Sequence, residues 1–438
     1  MYQFSQHNII SKIKDSEEYY IVNMLSGNAD ILDKETFEAF QNNSPKNIEE
    51  LIDKGYFADP EEEKKLFRNK YLNFVDNRDE DEVQAFFVPW YSCNFACSYC
   101  YQDEYGNSSS GLNTDIIDAF FIALNQQLPN RKKYITLFGG EPLLPGNFQK
   151  QLISYFFDKV SENNLQVAIV TNGYSIKEYL PILQKASIRE IQVTLDGTAD
   201  IHNSRRFLKD KSPTFNKISE GISLLIDNNI PVNLRMVVDK SNINNLPDLA
   251  RHAIDNGWTK SVSFKTQLGR NYELHHCQDQ RQKLYSRIEL YQDLYQIIKE
   301  NPHILEFHKP AFSISKFLFE KGELPEPLFD SCPACKTEWA YDFSGKIYPC
   351  TATVGKKGEE VGNYYPQLTL NNTISSEWED RDVTAIKECK TCNLQLACGG
   401  GCGSVAKNNT NSLYKPDCRP VKELLELGLG LYINKTES

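Results

Sequence analysis

Cys93, Cys97 and Cys100 fall within eight residues, CNFACSYC, at the spacing C-x3-C-x2-C. In a large chain kept reduced, clustered thiols hold a metal rather than a disulfide. A structural zinc site closes with four ligands, commonly from paired C-x2-C knuckles. Here no further Cys or His follows before His202. A 4Fe–4S cluster on three cysteines leaves one iron open, and an open position distinguishes a catalytic centre from a structural one. The chain has twelve cysteines, and eight more crowd its last quarter. They run Cys332-x2-Cys335, Cys350, Cys389-x2-Cys392-x5-Cys398-x3-Cys402 and Cys418, enough for two complete sets of four. Zinc ribbons and iron–sulfur clusters both suit such spacing. Cys277 is left over, either a small buried hydrophobe or a hydrogen-atom donor or substrate contact.

The elements that must position these residues are legible from Val83 on. VQAFFVPWYS, YITLFGGEP, LQVAIVTNG, EIQVTLDG, PVNLRMVVD and SVSFKTQLG read as strands, with amphipathic helices between them. Six strands alternating with helices imply βα units around a parallel sheet. Functional groups in such folds collect at the C-terminal strand ends. CNFACSYC, GGEP, TNG and LDG all fall there, which argues for one shared site.

Before Val83, EEYYIVNMLSGNADILD reads as two strands around a Ser26-Gly27-Asn28 turn. KETFEAFQNN and the stretch from Asn47 to Phe74 read as helices, with a break at Gly55 and Pro60. This region looks separate, and DNRDEDE reads as a solvated linker out of it. After Gly269, DQRQKLYSRIELYQDLYQIIKE reads as one long helix. The remainder is turn-rich up to a final helix near VKELLELGLG. The expected division is residues 1–80, 81–270, 271–330 and 331–438.

Lys plus Arg number 48 against 59 Asp plus Glu, a net charge of −11. That balance gives no pull toward nucleic acid or anionic lipid. No apolar run approaches the roughly 20 residues of a membrane span. The N-terminus lacks a basic stretch followed by an apolar one, so no secretory signal is expected and the expected location is cytoplasmic.

CNFACSYCY resembles the C-x3-C-x-aromatic-C signature of radical S-adenosylmethionine enzymes, and GGEP at Gly139 to Pro142 stands where that family puts it. The resemblance covers roughly residues 84 to 270. It implies an α/β fold, a partial (β/α)6 TIM-like barrel. It also implies that the open iron chelates S-adenosylmethionine, whose reductive cleavage gives a 5′-deoxyadenosyl radical that takes hydrogen from the substrate. By the same resemblance, Cys93, Cys97 and Cys100 are the catalytic cluster ligands and Tyr99 lies by the adenine. Gly139, Gly140 and Glu141 meet the methionine amino group, and Thr194 and Arg206 help hold the cofactor. Arg205 competes with Arg206 for that role. Asn172 is a further cofactor contact; a satisfied strand-end turn is the alternative for Asn172 and Thr194.

CPAC…DFSGKIYPC and CKTCNLQLACGGGC resemble the SPASM domain appended to many such enzymes. This implies two auxiliary 4Fe–4S clusters, three clusters in all. Cys332, Cys335, Cys350 and Cys402 would hold one; Cys389, Cys392, Cys398 and Cys418 the other. Enzymes of this type mostly modify peptides. In the sulfatase-maturating subgroup an Asp commonly follows the YPC motif as a base; here Thr351 stands there and cannot act so. Maturases of ribosomally made peptides often carry an N-terminal leader-recognition domain, winged-helix-like, which residues 1–80 resemble. It would take the leader as an added strand, or else only cap the barrel. The expected activity is a radical crosslink (thioether, carbon–carbon or ether) in a precursor peptide. The expected partners are that leader-bearing peptide and a reductant such as flavodoxin or ferredoxin. Epimerisation, formylglycine formation and a non-catalytic iron–sulfur or zinc scaffold are the alternatives.

Overall fold

The computed structural model describes residues 2–42, 48–78, 80–100, 111–270 and 283–433. The first region holds β1 (Gln3–Phe4), β2 (Asn8–Lys12), β3 (Tyr19–Asn23), β4 (Asn28–Leu32), α1 (Lys34–Gln41), α2 (Ile48–Asp53), β5 (Phe57–Ala58) and α3 (Pro60–Arg78). β2, β3 and β4 form an antiparallel meander, and β1 pairs with β5. Asp33 caps α1 by accepting from the Thr36 N–H at 2.8 Å. α3 opens with Pro60 and three glutamates, which suit a helix N-terminus. It runs to Arg78, so the front of the expected charged linker is helical.

The central unit comprises β6 (Val83–Val88), α4 (Thr114–Gln127), β7 (Lys133–Leu137), α5 (Asn147–Glu162), β8 (Val167–Thr171), α6 (Ile176–Leu183), β9 (Ile188–Thr194), α7 (Ala199–Arg205), α8 (Phe215–Asp227), β10 (Val232–Val238), α9 (Leu246–Asp255) and β11 (Phe264–Arg270). The six strands lie parallel in chain order, a partial barrel-like sheet. One face, including Phe87, Leu137, Ile169, Val193 and Leu234, is buried against Ile117, Phe156, Ile176, Ile218 and Leu249 of the helices. Burial on that face drives the assembly.

The third region contains α10 (Arg287–Glu300), α11 (Ile304–Phe307), α12 (Ser315–Lys321), β12 (Glu338–Asp342), β13 (Lys346–Tyr348), β14 (Gly362–Asn363), β15 (Thr369–Leu370), α13 (Asn372–Glu379), α14 (Gln395–Cys398), α15 (Gly403–Thr410) and α16 (Val421–Ile433). Two expectations are corrected here. The long helix begins at Arg287, because Ser286 and Glu289 form a capping box that sets its start. The cysteine-rich tail is not merely turns: β12 joins the barrel sheet parallel to β6, and β13, β14 and β15 continue it antiparallel. The first eighty residues pack on the tail. Ile9, Tyr20, Val22 and Met24 share an apolar cluster with Phe329, Val383, Ile386, Leu396 and Leu425. Among the described residues no helix is long and apolar enough to cross a membrane.

Candidate active site

The segment carrying Cys93, Cys97 and Cys100 leaves the C-terminal end of β6 and is pinned on several sides. Gly140 N–H donates to the Trp90 carbonyl (3.2 Å) and Glu141 N–H to that of Ser92 (3.0 Å). Ala96 and Ser98 N–H groups donate to the carbonyls of Phe207 (2.9 Å) and Arg205 (3.0 Å). Phe95 N–H reaches the Cys93 sulfur at 3.4 Å. Cys93 lies within electrostatic reach of Cys97 and Cys100, and its thiol is pushed up to about 12, by burial first and then by Glu141 and the two neighbouring sulfurs. Such thiols stay protonated until a metal displaces the proton. Among the described residues no three metal-ligating groups converge closely enough for a single ion; a cluster takes each thiolate on a different iron.

The two glycines have a structural reason of their own. A Cβ at Gly140 would stand 2.2 Å from the Ser92 carbonyl oxygen and 2.3 Å from that of Tyr91. At Gly139, where φ is +136°, it would meet the Trp90 oxygen at 2.7 Å. Only glycine lets the β7 end pack this tightly on the cysteine segment.

Glu141 is buried. It accepts from Leu143 N–H (2.8 Å), Asn172 N–H (2.6 Å) and the Thr171 hydroxyl (2.6 Å). It forms no ion pair among the described residues, and burial pushes its carboxyl up to about 7 against the pull of those donors. Arg206 acts on it electrostatically without forming an ion pair, so the buried carboxylate can still accept a cationic ligand group. Asn172 donates its amide to Asn94 Oδ1 (2.8 Å) and accepts from Tyr174 N–H (3.0 Å), so its side chain serves the turn and the cysteine segment. Thr194 ends β9, buried, paired across from Arg235.

Tyr99 and Arg206 belong to one partly buried network. The Tyr99 hydroxyl donates to Asp196 Oδ2 at 2.6 Å and accepts from Arg206 Nη1 at 2.8 Å. Arg205 pairs with Asp196 (3.1 Å) and Asp239 (2.8 Å), and its guanidinium lies 4.9 Å from the Tyr99 ring centre. Burial opposes the charge on Arg206, but Cys97, Tyr99 and Asp196 outweigh it. Arg206 Nε is buried without a partner, a donor left for a ligand. The two arginines therefore divide the work: Arg205 is consumed by its acids, and Arg206 keeps a free donor. Asp196 and Asp239 were not singled out from the sequence, although Asp196 sits in the LDG motif.

In the tail, Cys350 lies within electrostatic reach of Cys332 and Cys402, and Cys335 within reach of Cys332. Cys389 is near Cys392, Cys398 and Cys418. The segments thus gather into two groups of four. Gly399, Gly400 and Gly401 all have φ between +63° and +73°, a run that side chains rarely adopt. The wholly buried Arg381 donates to the carbonyls of Gly400, Gly401, Leu413 and Lys415 and so fixes the loops around Cys402 and Cys418. Nothing in the sequence marked it. Thr351 N–H and hydroxyl hold the half-buried Glu338 carboxylate at 2.7 and 2.9 Å. Cys277 lies outside the described residues.

Residues 87–253 match the Radical SAM superfamily. The chain carries a radical SAM domain. That domain makes it an enzyme and implies S-adenosylmethionine and one 4Fe–4S cluster. The half-buried thiols of the Cys93 segment, the Glu141 carboxylate in no ion pair and the free Arg206 donor fit those groups. The chain is 30% identical over 174 residues to an uncharacterized protein of Methanocaldococcus jannaschii, covering 39% of this chain and 58% of that one. It is 25% identical to a cysteine-type anaerobic sulfatase-maturating enzyme of Clostridium novyi, over 71% of this chain and 85% of the other. Two solved structures share its fold. One is native anSMEcpe with bound AdoMet and the Cp18Cys peptide: TM-score 0.59, 19% identity, 82% of this chain and 99% of that chain. The other is Streptococcus suis SuiB bound to S-adenosylmethionine: TM-score 0.54, 15% identity, 96% and 99%. SuiB has also been solved with the precursor peptide SuiA.

Proposed function

We propose that the protein is a peptide-modifying radical SAM enzyme that crosslinks a ribosomally made precursor. Cys93, Cys97 and Cys100 hold the catalytic cluster. Cys332, Cys335, Cys350 and Cys402 hold one auxiliary cluster, and Cys389, Cys392, Cys398 and Cys418 the other. When bound, the catalytic cluster and S-adenosylmethionine supply one-electron, hydrogen-abstracting chemistry. Glu141 receives the cofactor's ammonium group, Arg206 offers its Nε–H to an acceptor on the cofactor, and Tyr99, held by Asp196 and Arg206, lies by the adenine. The glycines at 139 and 140 keep the cysteine segment against the sheet. The reading is supported by the nearness of Cys332 to Cys335, Cys350 and Cys402 and of Cys389 to Cys392, Cys398 and Cys418, beside a front trio with no fourth cysteine near it among the described residues. Crosslinking removes a pair of hydrogen atoms from the peptide, so after the first abstraction one electron and one proton must leave. The two tail sets of four thiolates would hold fully ligated clusters, whose chemistry would be to accept such an electron.

A second reading, formylglycine formation, rests on Glu338. Its carboxylate is held by Thr351, the residue at the position where that subgroup carries its base, and could serve in its place. Anaerobic turnover with leader-bearing peptides that contain Cys and Ser as substrates distinguishes the two. A crosslinked peptide keeps its sulfur and loses a pair of hydrogens. A formylglycine product carries an aldehyde that reacts with a hydrazine. A peptide unchanged in mass, with cofactor cleavage intact, would refute both.

A further inference from the structure

A cavity of about 570 Å³ lies where β11, α10, the start of α16 and the β3–β4 turn region meet. That volume is in the range of small-ligand and side-chain pockets. Its walls are largely apolar, with Met24, Leu268, Leu328 and Leu424 among them. Three arginines, Arg270, Arg287 and Arg419, also line it, in a chain whose net charge is −11. All three act electrostatically on Tyr291, whose ring packs edge-on against Phe312 at 5.1 Å.

The local acids are taken. Asp417 pairs with Arg287 at 2.6 Å, and Glu326 pairs outward with Lys70 at 2.9 Å. Arg270 donates to the Tyr285 carbonyl at 2.5 Å. Arg419 makes no ion pair or hydrogen bond through its guanidinium among the described residues, and the Tyr291 hydroxyl has no hydrogen-bond partner there either. An unpaired guanidinium and a neutral phenol at one cavity form a donor pair for a carboxylate. The aliphatic walls suit apolar side chains on either side of it. Arg270 ends a barrel strand and Arg419 follows Cys418, so the cavity lies between the barrel mouth and the second tail cysteine group.

We propose that this cavity binds an acidic side chain of the substrate peptide, an Asp or Glu flanked by aliphatic residues, through Arg419 and Tyr291. This rests on the peptide-modifying reading above and names the chemistry by which the peptide is recognised.

The test uses the full-length, cluster-loaded protein and two capped probes, acetyl-Leu-Glu-Leu-Glu-Leu-amide and its Gln counterpart, with affinities from calorimetry. The acidic probe should bind at least about tenfold tighter than the amide probe. Arg419→Gln and Tyr291→Phe should each erase most of that preference, and Arg419→Lys should keep part of it, all at unchanged iron content. If Arg419→Gln loses iron, Tyr291→Phe carries the comparison. Equal affinity for the two probes, no binding at millimolar concentration, or an acid preference untouched in a folded Tyr291→Phe variant would overturn the proposal. Peptide turnover is read by mass in parallel. A precursor still modified by a protein without acid preference sinks the cavity proposal alone. Acid preference without any modified peptide supports the cavity and sinks the function.

Discussion

Gly140→Ala is the sharpest perturbation available at the front cluster. The added Cβ would stand 2.2 and 2.3 Å from the carbonyl oxygens of Ser92 and Tyr91, both backbone atoms. No side-chain rotation relieves that, so the cysteine segment must move away from the β7 end. Overpacking of this kind costs about 1–3 kcal/mol. The hydrogen bonds from Gly140 to Trp90 and from Glu141 to Ser92 add about 1 kcal/mol each if lost. The total, about 3–5 kcal/mol, is below a typical domain stability of about 5–15 kcal/mol. The chain should therefore fold while its cysteine segment yields. The assay is iron content and 5′-deoxyadenosine release after anaerobic reconstitution. The variant should keep the tail iron, about eight of about twelve atoms, and release less than about a tenth of the wild-type product. Gly257→Ala is the control: φ is +72° and nothing lies within 4 Å of its Cβ, so it should cost only about 1 kcal/mol and spare the iron. Full iron and full release in Gly140→Ala would refute the argument that these glycines are there to let the segment pack.

Glu141→Gln keeps the shape and removes the charge; S-adenosylmethionine affinity by equilibrium dialysis should fall about 10–100-fold, as for loss of a charged hydrogen bond of about 1.5–3 kcal/mol, and an unchanged Kd would contradict the ammonium role. His7 is buried against Phe67 with Nδ1 unpartnered, and burial lowers its pKa to about 4. Its neutral ring thus contributes up to about 3 kcal/mol of stability, full above pH 6.5 and lost as pH falls toward 4. His7→Phe should flatten the urea-stability profile over that window, and a slope equal to wild type would show the ring is not the titrating group. Replacing Cys389, Cys392 and Cys398 with Ala should stop mature product while some cofactor cleavage survives, provided circular dichroism shows a folded variant. Normal product from such a variant would make that cluster structural.

The barrel was legible because buried parallel strands read as apolar runs between amphipathic helices, and because GGEP and LDG mark strand ends. The start of α10 was legible too, in the Ser286–Glu289 spacing, but the apolar and aromatic periodicity before it suggested a longer helix. β12 was hidden: EWAYD is short and pairs with β6, some 250 residues earlier in the chain. The packing of Ile9, Tyr20 and Val22 on the cysteine-rich tail could not be read, since only the folded register brings those faces together. Glycine at 139 and 140 suggested close approach to a ligand, whereas the contact that demands it is with backbone carbonyls of the cysteine segment. Two adjacent arginines were indistinguishable as letters; the acids at 196 and 239 separate them.

The most direct test of the central claim is 5′-deoxyadenosine release by the anaerobically reconstituted full chain, reduced with dithionite in the presence of S-adenosylmethionine. The wild type should release it, and the variant with Cys93, Cys97 and Cys100 all replaced by Ala should release none while keeping its tail iron. Release that persists in that variant, or a wild type with full iron that cleaves no cofactor, would contradict the assignment of these three cysteines.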